Sequence, residues 1–221
     1  MKNLNETPET ITISGKTVSV LSFFGHNRVL DIHESQQKVF KHFGLTINTY
    51  FEEGISHANF MNYCLKNFES DIFIFIDLDC VPLDDRIYKN IVNELISEEC
   101  IIGIEQTANH KDPNFIYAGP ACFGITKEVY NKFGGVSFDG THRSDVAQEY
   151  TYISYENNIT VKFIELISSR NNKWKLGSDR FFGNGCVYKL NDSKIYHQFQ
   201  SNVEEQKNEF KLECEKIIKN N

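Results

Sequence analysis

Apolar and polar positions alternate along the chain in two rhythms. Thr17-Val-Ser-Val-Leu-Ser-Phe-Phe24 is rich in β-formers and stops at Gly25, which predicts a strand and a turn. From Asp31 to Phe43 the apolar residues Ile32, Val39, Phe40 and Phe43 follow helical spacing, and Gly44 ends the run. Leu45–Phe51 reads as a second strand. Ser56 is placed to cap a helix reaching Phe68, with Phe60, Met61, Cys64, Leu65 and Phe68 on its inner side. Ile72-Phe-Ile-Phe-Ile76 has no polar position, as expected of a strand covered on both faces. A helix carrying Ile87, Ile91, Leu95 and Ile96 follows Pro82, and then a short strand, Ile101–Ile104.

Residues 115–125 read as a strand with a close approach at Gly119. A short helix from Lys127 to Phe133 ends at Gly134-Gly135, and a further helix spans about Ser144 to Asn157. Thr160–Ile164 is a strand. The polar, glycine-bearing stretch 168–186 shows no period and reads as a long loop, and Ser193–Phe199 alternates as a short strand. The last helix, from about Asn202 to Lys219, carries a stripe of Val203, Phe210, Cys214, Ile217 and Ile218. Strands alternating with helices predict an α/β class, a single Rossmann-like α/β/α sandwich with a mostly parallel central sheet. No internal repeat is visible.

Composition narrows the function classes. With 221 residues, 40% hydrophobic and 24% charged, the chain can bury a substantial core as one domain. The uninterrupted apolar run Ile72–Ile76 is far shorter than the ~20 residues that cross a bilayer. No apolar segment opens the chain, and the six cysteines are widely spaced without a C-x-x-C pair, so a reduced, cytoplasmic protein is expected. A net charge of −7 argues against general affinity for nucleic-acid backbones. The excess of Asn, Ile and Lys suggests an A/T-rich genome, bacterial or viral. The three N-x-[ST] triplets, at Asn5, Asn158 and Asn191, are at the level of chance.

Candidate chemistry begins at Asp77-Leu78-Asp79. In open α/β sheets ligands collect at the carboxyl ends of strands. Two carboxylates at i and i+2, where a strand turns, can converge on one hard divalent cation and leave positions free for phosphate oxygens. The competing reading is a polar strand end with Asp79 starting a turn. His197 follows at a distance of 118 residues from Asp79, and as neutral imidazole it would suit Mn²⁺ better than Mg²⁺. Its alternative is a structural histidine. Asp145 and Glu149 lie one helical turn apart, so both would point the same way, and either carboxylate could serve as a general base. Their alternatives are a capping box completed by Gln148 and a solvated face. Arg170, Lys173, Lys175 and Arg180 surround Trp174, the only tryptophan, in a segment that reads as a phosphate-facing loop, as solvated scaffold, or as a place where the tryptophan stacks on an acceptor sugar or a nucleobase. His26, His33, His42, His110 and His142 default to the surface.

The segment Ile72–Leu83 resembles the D-x-D strand of GT-A-fold glycosyltransferases, which move a sugar from a nucleotide diphosphate donor. Tyr117-Ala-Gly-Pro-Ala-Cys-Phe-Gly124 with Thr126–Gly135 resembles that family's sugar-pocket segment. Asp145–Glu149 resembles its acidic helix start, and Tyr196-His197 its late metal-binding histidine. The succession covers about residues 17–200.

The resemblance implies a metal site of Asp79, His197 and Asp77 holding Mn²⁺ (or Mg²⁺). It implies a donor site including Phe24, Glu53, His57, Asp77, Leu78, Gly119, Arg170, Lys173, Trp174 and Lys175, with a UDP-sugar as donor, and Asp145 or Glu149 as the base of an inverting transfer. Glu52-Glu53-Gly54 stands where the family commonly has Asp-Asp-Gly, which leaves the base of the nucleotide open. The acceptor would be a glycan, a lipid-linked sugar, a protein or a modified DNA base. The implied organisation is a polar extension (1–15), a catalytic domain (16–200) with a nucleotide-binding half (16–106) and an acceptor half (107–200), and a C-terminal helix (201–221). The rival readings are a nucleotidyltransferase, against which the glycine-poor Phe23-Phe-Gly-His-Asn-Arg28 counts, and a non-catalytic sugar-nucleotide- or carbohydrate-binding protein.

Overall fold

The computed structural model describes residues 1–25 and 30–220. His26 and the remainder of the glycine-poor segment, residues 26–29, lie outside the described residues, as does Asn221. The elements run β1 (Thr10–Ile13), β2 (Lys16–Phe24), α1 (Leu30–His42), β3 (Asn48–Phe51), α2 (His57–Asn67), β4 (Ile72–Ile76), β5 (Cys80–Pro82), α3 (Ile87–Ser97), β6 (Cys100–Ala108) and β7 (Asp112–Thr126). Then come α4 (Lys127–Lys132), α5 (Gln148–Glu156), β8 (Thr160–Ser169), β9 (Asn172–Leu176), β10 (Arg180–Gly183), β11 (Cys186–Leu190), β12 (Ser193–His197) and α6 (Glu204–Asn220).

Ten strands form one sheet in the order β1-β2-β4-β7-β6-β8-β11-β12-β5, with β3 also paired to β2. The β4 sequence shows why helices cover both faces. Its isoleucines Ile72, Ile74 and Ile76 join a core that also holds Phe40 of α1, Ile91 of α3 and Phe210 of α6. Phe73 and Phe75 point to the other side, with Phe60 and Met61 of α2, Val129 of α4 and Tyr150 of α5. A period of two thus serves two apolar layers, and the α/β/α sandwich is as the sequence predicts.

The pairing is more mixed than the alternation of strands and helices predicts. β2–β3, β2–β4 and β6–β8 are parallel. β7 runs antiparallel to both β4 and β6, and the β8-β11-β12-β5 edge is antiparallel throughout. The polar N-terminal stretch contributes β1, which folds back on β2 through Ser14-Gly15, both at positive φ. The stretch 168–186, read above as a loop, extends β8 and forms the hairpin β9–β10. Its strands are only five and four residues long, so Trp174, Leu176 and Phe182 give too short an inward series to show a period. All six cysteines are buried and free, and among the described residues no helix is long and apolar enough to cross a membrane.

At Gly103 the β7 backbone packs directly against β6. A Cβ there would lie 2.8 Å from the carbonyl carbon of Ala118 and 2.9 Å from the Gly119 oxygen. These are backbone atoms at the centre of the sheet and cannot step aside. Gly103→Ala should therefore cost about 1–3 kcal/mol, the usual cost of overpacking, and lower the thermal midpoint by several degrees. An unchanged melting curve would refute this packing.

Candidate metal centre and adjoining cleft

The carboxyl end of β4 is fixed before any side chain is considered. The Asp77 N–H donates to Ala121 O on β7 at 2.9 Å, and the Cys80 N–H donates to Asp77 O at 3.0 Å, closing a tight turn into β5. Gln36, fully buried on α1, clamps this turn by donating its amide to Asp77 O at 2.8 Å and Cys80 O at 3.0 Å. β5 then pairs with β12 so that Cys80 stands opposite His197. One step on, the Gln198 N–H donates to Asp79 O at 2.9 Å. Sheet closure therefore brings two segments far apart in sequence side by side.

One ligand atom from each of Asp77, Asp79 and His197 falls within 4.8 Å of the others, the one such cluster among the described residues. His197 Nε2 lies 3.2 Å from Asp79 Oδ1. His57, the first residue of α2, places Nε2 3.3 Å from Asp77 Oδ1. Its helix start is held by Ser56, whose side chain accepts from the Asn59 N–H at 3.1 Å. The Ser201 hydroxyl donates to Asp79 Oδ2 at 2.6 Å and fixes the carboxylate plane.

Burial lifts the Asp77 carboxyl above its ordinary range. His57 and His197 oppose this shift and Asp79 adds to it. His197 is 3% exposed, its Nδ1 has no hydrogen-bond partner among the described residues, and its ring centre lies 4.1 Å from that of Phe199. Two carboxylates and an imidazole nitrogen within 4.8 Å of one another form an O,O,N donor set that fits Mn²⁺, and Mg²⁺ less well. Asp77 and Asp79 keep side-chain exposures of 27% and 15%, so the cluster opens to solvent on one side.

That opening is a cleft of about 410 Å³ lined by Phe24, His57, Asp77, Leu78 and Asp79, and by Gln200, Ser201 and Asn202 from the β12–α6 connection. A larger cleft of about 590 Å³ lies at the other ends of β2 and β4, around Lys16, Thr17 and Asp71, away from the cluster. A third, of about 290 Å³, is lined by Gln106, His110, Asp145, Trp174, Phe182 and Phe199. Phe199 contributes to this third pocket while its ring packs at a tilt against His197, so the pocket adjoins the Asp77–Asp79–His197 cluster.

The remaining sequence candidates divide. Lys173 reaches toward the cleft, with Nζ 3.3 Å from Gln200 Oε1. Arg170 turns to α6 instead, donating to the Tyr196 hydroxyl at 2.8 Å and to Glu213 at 3.4 Å. The Lys175 side chain is exposed, and its backbone is tied to Asn109. Glu53 is exposed in the turn after β3 and does not line the cleft. Gly119 is buried in β7, where a Cβ would meet Gln106 Oε1 at 2.6 Å.

Asp145 and Glu149 do not share a direction. Helix α5 begins only at Gln148, after Ala147 at φ 63°, so Asp145 precedes it. Gln148 Oε1 accepts the Asp145 N–H at 2.7 Å, the capping interaction considered above. Glu149 is engaged by the Arg143 guanidinium, and that pairing holds its carboxyl below the ordinary range.

Sequence reading missed Gln36, Ser201 and Phe199. Gln36 carried a signal, being a polar residue on the Ile32–Val39–Phe40 stripe, where an amide needs buried partners. Ser201 and Phe199 had none, because their importance comes from the path of the chain after β12. His33 is half-buried against Phe24, with ring centroids 5.6 Å apart, whereas His42, His110 and His142 are exposed as expected.

No family model matches the chain, and no curated protein matches it by sequence. Among solved structures it is similar to a Drosophila β-1,4-galactosyltransferase in complex with manganese, UDP-Gal and xylobiose. The identity is 15% and the TM-score 0.46, over 75% of this chain and 69% of that one. It is also similar to a mannosyltransferase from Pyrobaculum calidifontis in complex with GDP-Man and Mn²⁺, at 10% identity and TM-score 0.49, over 73% of this chain and 56% of that one. A CMP-2-keto-3-deoxy-manno-octonic acid synthetase with CTP aligns at 7% identity and TM-score 0.40, over 72% of this chain and 93% of that one. These likenesses are in general outline, and the functional reading rests on the site.

Proposed function

We propose that this protein is a divalent-metal-dependent glycosyltransferase that moves a sugar from a nucleotide diphosphate donor, a UDP-sugar, to an acceptor hydroxyl with inversion. The observation that carries the reading is the convergence of Asp77, Asp79 and His197 at the carboxyl end of a buried strand, beside a pocket that holds a third carboxylate, Asp145, in no salt bridge among the described residues. Asp79, His197 and Asp77 would hold Mn²⁺. When bound, the ion would supply Lewis acidity toward the departing diphosphate.

The chain's own residues do the rest. Gln36 and Ser201 keep the two aspartates in place, so little reorganisation is needed on binding. His57, at the start of α2, stands where a helix N-terminus meets the cleft and favours an anion there. Lys173 brings positive charge to the rim and offsets the charge that develops on the leaving group. Asp145 Oδ2 would accept the proton of the attacking hydroxyl. Glu149, neutralised by Arg143, is the weaker candidate for that role.

A thermal-shift series tests the metal role. Mn²⁺ with a nucleoside diphosphate at about 100 times its Kd should stabilise the protein by about 2.7 kcal/mol, and EDTA should remove the gain. A nucleotide-induced shift that survives chelation would overturn the assignment.

The basic residues give a second expectation. Lys173→Ala should weaken nucleoside diphosphate binding several-fold, while Arg170→Ala, which loses only its Tyr196 and Glu213 contacts, should leave it unchanged. Equal losses in titration calorimetry would count against Lys173 as the cation at the rim.

A further inference from the structure

The pocket of about 290 Å³ beside His197 has a composition of its own. Three rings form one side: Trp174 and Phe182 with centroids 5.4 Å apart, Trp174 and Phe199 at 5.7 Å, and Phe182 and Phe199 at 5.1 Å. The rest of the lining is mostly polar: Gln106, Thr107, Asn109, the exposed imidazole of His110, and Asp145, with Thr107 and Asn109 engaged with each other and with the Lys175 backbone. The Gln106 side-chain amide makes no hydrogen bond among the described residues, and the missing Cβ of Gly119 leaves it room to lie across β7. Asp145 uses Oδ1 to accept the Val146 N–H at 2.9 Å, which leaves Oδ2 without a hydrogen-bond partner or a salt bridge among the described residues. Asp145 is the only carboxylate lining the pocket. Lys173 is not among the lining residues; its Nζ lies 5.9 Å from the centre of the Trp174 ring and donates to Gln200 of the metal cleft.

We infer that this pocket seats the terminal residue of the acceptor, and that this residue is an uncharged pyranose. The inference rests on the transferase reading above and adds the acceptor's chemical class. A pyranose presents an apolar C–H face, which suits an aromatic wall, and a rim of hydroxyls, which suits an amide and a carboxylate. The volume holds one such ring. An unpaired carboxylate repels an anionic ligand, so uronic acids and phosphate-bearing nucleotides of DNA or RNA are disfavoured. The same carboxylate accepts a hydroxyl proton at the point of attack.

Trp174 is the only tryptophan of the chain, so its emission reports directly on this pocket. The full-length protein, without nucleotide or metal, is titrated with methyl glycosides of glucose, galactose and mannose, with the matching uronates, and with nucleosides. At least one neutral glycoside should give a saturable change in emission, and its uronate should bind at least about tenfold more weakly. Asp145→Asn, with an unchanged melting curve, should bring neutral sugar and uronate to within about threefold of each other, because only the charge has gone. A purely structural role for Asp145 would not move that ratio.

The same sugar O-linked to a serine peptide separates sources. Binding of the peptide form points to a protein-borne acceptor, and binding of the simple glycoside alone to a free or lipid-linked glycan. Equal binding of uronates to the wild-type protein, a response to nucleosides alone, or no response to any saccharide at 100 mM, a concentration about a hundred times the ~1 mM of a weak complex, would overturn the inference. Failure of the transferase reading shows separately: the nucleotide and Mn²⁺ shift is lost while the saccharide response remains.

Discussion

Asp79→Asn should abolish Mn²⁺-dependent donor binding and lower sugar transfer by about 10³-fold or more, equivalent to several kcal/mol of lost charge stabilisation. The substitution keeps the shape of the side chain and removes one formal charge from a cluster whose other members are Asp77 and His197. Asparagine can still accept the Ser201 hydroxyl bond that Asp79 Oδ2 now accepts. The turn is held by backbone bonds to Ala121 and Gln198, and by Gln36. The melting temperature without ligand should therefore stay close to that of the wild-type protein while the Mn²⁺-dependent gain disappears. A variant that keeps a chelator-sensitive shift of full size would remove Asp79 from the metal centre.

Asp145→Asn should give the opposite pattern. Donor affinity and the Mn²⁺ effect should survive, because Asp145 lies in the neighbouring pocket and contacts neither Asp77 nor Asp79. Transfer should fall by about 10²–10⁴-fold, the range usual for a lost general base. The parallel variant Glu149→Gln should lose stability first, since the Arg143 guanidinium would lose the charge of its less exposed carboxylate partner and keep only Glu156. The Arg143–Glu149 pairing depresses the Glu149 pKa in the folded state. Its contribution is present above the unfolded value and is lost as pH falls through the lower folded one. Equal donor binding with full transfer in Asp145→Asn would take the base away from this residue.

How much of this was legible in the sequence depends on what each residue answers to. Ile72–Ile76 announced a strand buried on both faces, and the alternation of Ile and Phe there matches the two cores. Asp77 and Asp79 were legible because a local pattern, a strand end with two acids, is itself the chemistry. The pairing of His197 with Cys80 was not readable from spacing. It depends on a sheet that curls until β5, which follows β4 almost directly, meets the far edge. The antiparallel insertion of β7 between β4 and β6 was hidden for the same reason, since a strand's sequence does not state its neighbour. Asp145 and Glu149 looked like one helical face until a single residue, Ala147 at positive φ, delayed the helix. Ala is a poor marker of such a conformation, which Gly or Asn adopts more readily.

The β5–β12 pairing also affects when the site can exist. Asp79 and His197 stand 118 positions apart, and the strand that carries the histidine is the last of the sheet. During synthesis the two aspartates leave the ribosome long before His197, so the proposed metal centre could not form until nearly the whole sheet has been made. An ion gripping both ends would then act as a cross-link across a loop of more than one hundred residues. In the chain-entropy view, constraints on loops of that length are worth about 4–5 kcal/mol against unfolding. Metal capture would thus serve as a checkpoint, favouring chains whose final strand has docked in register.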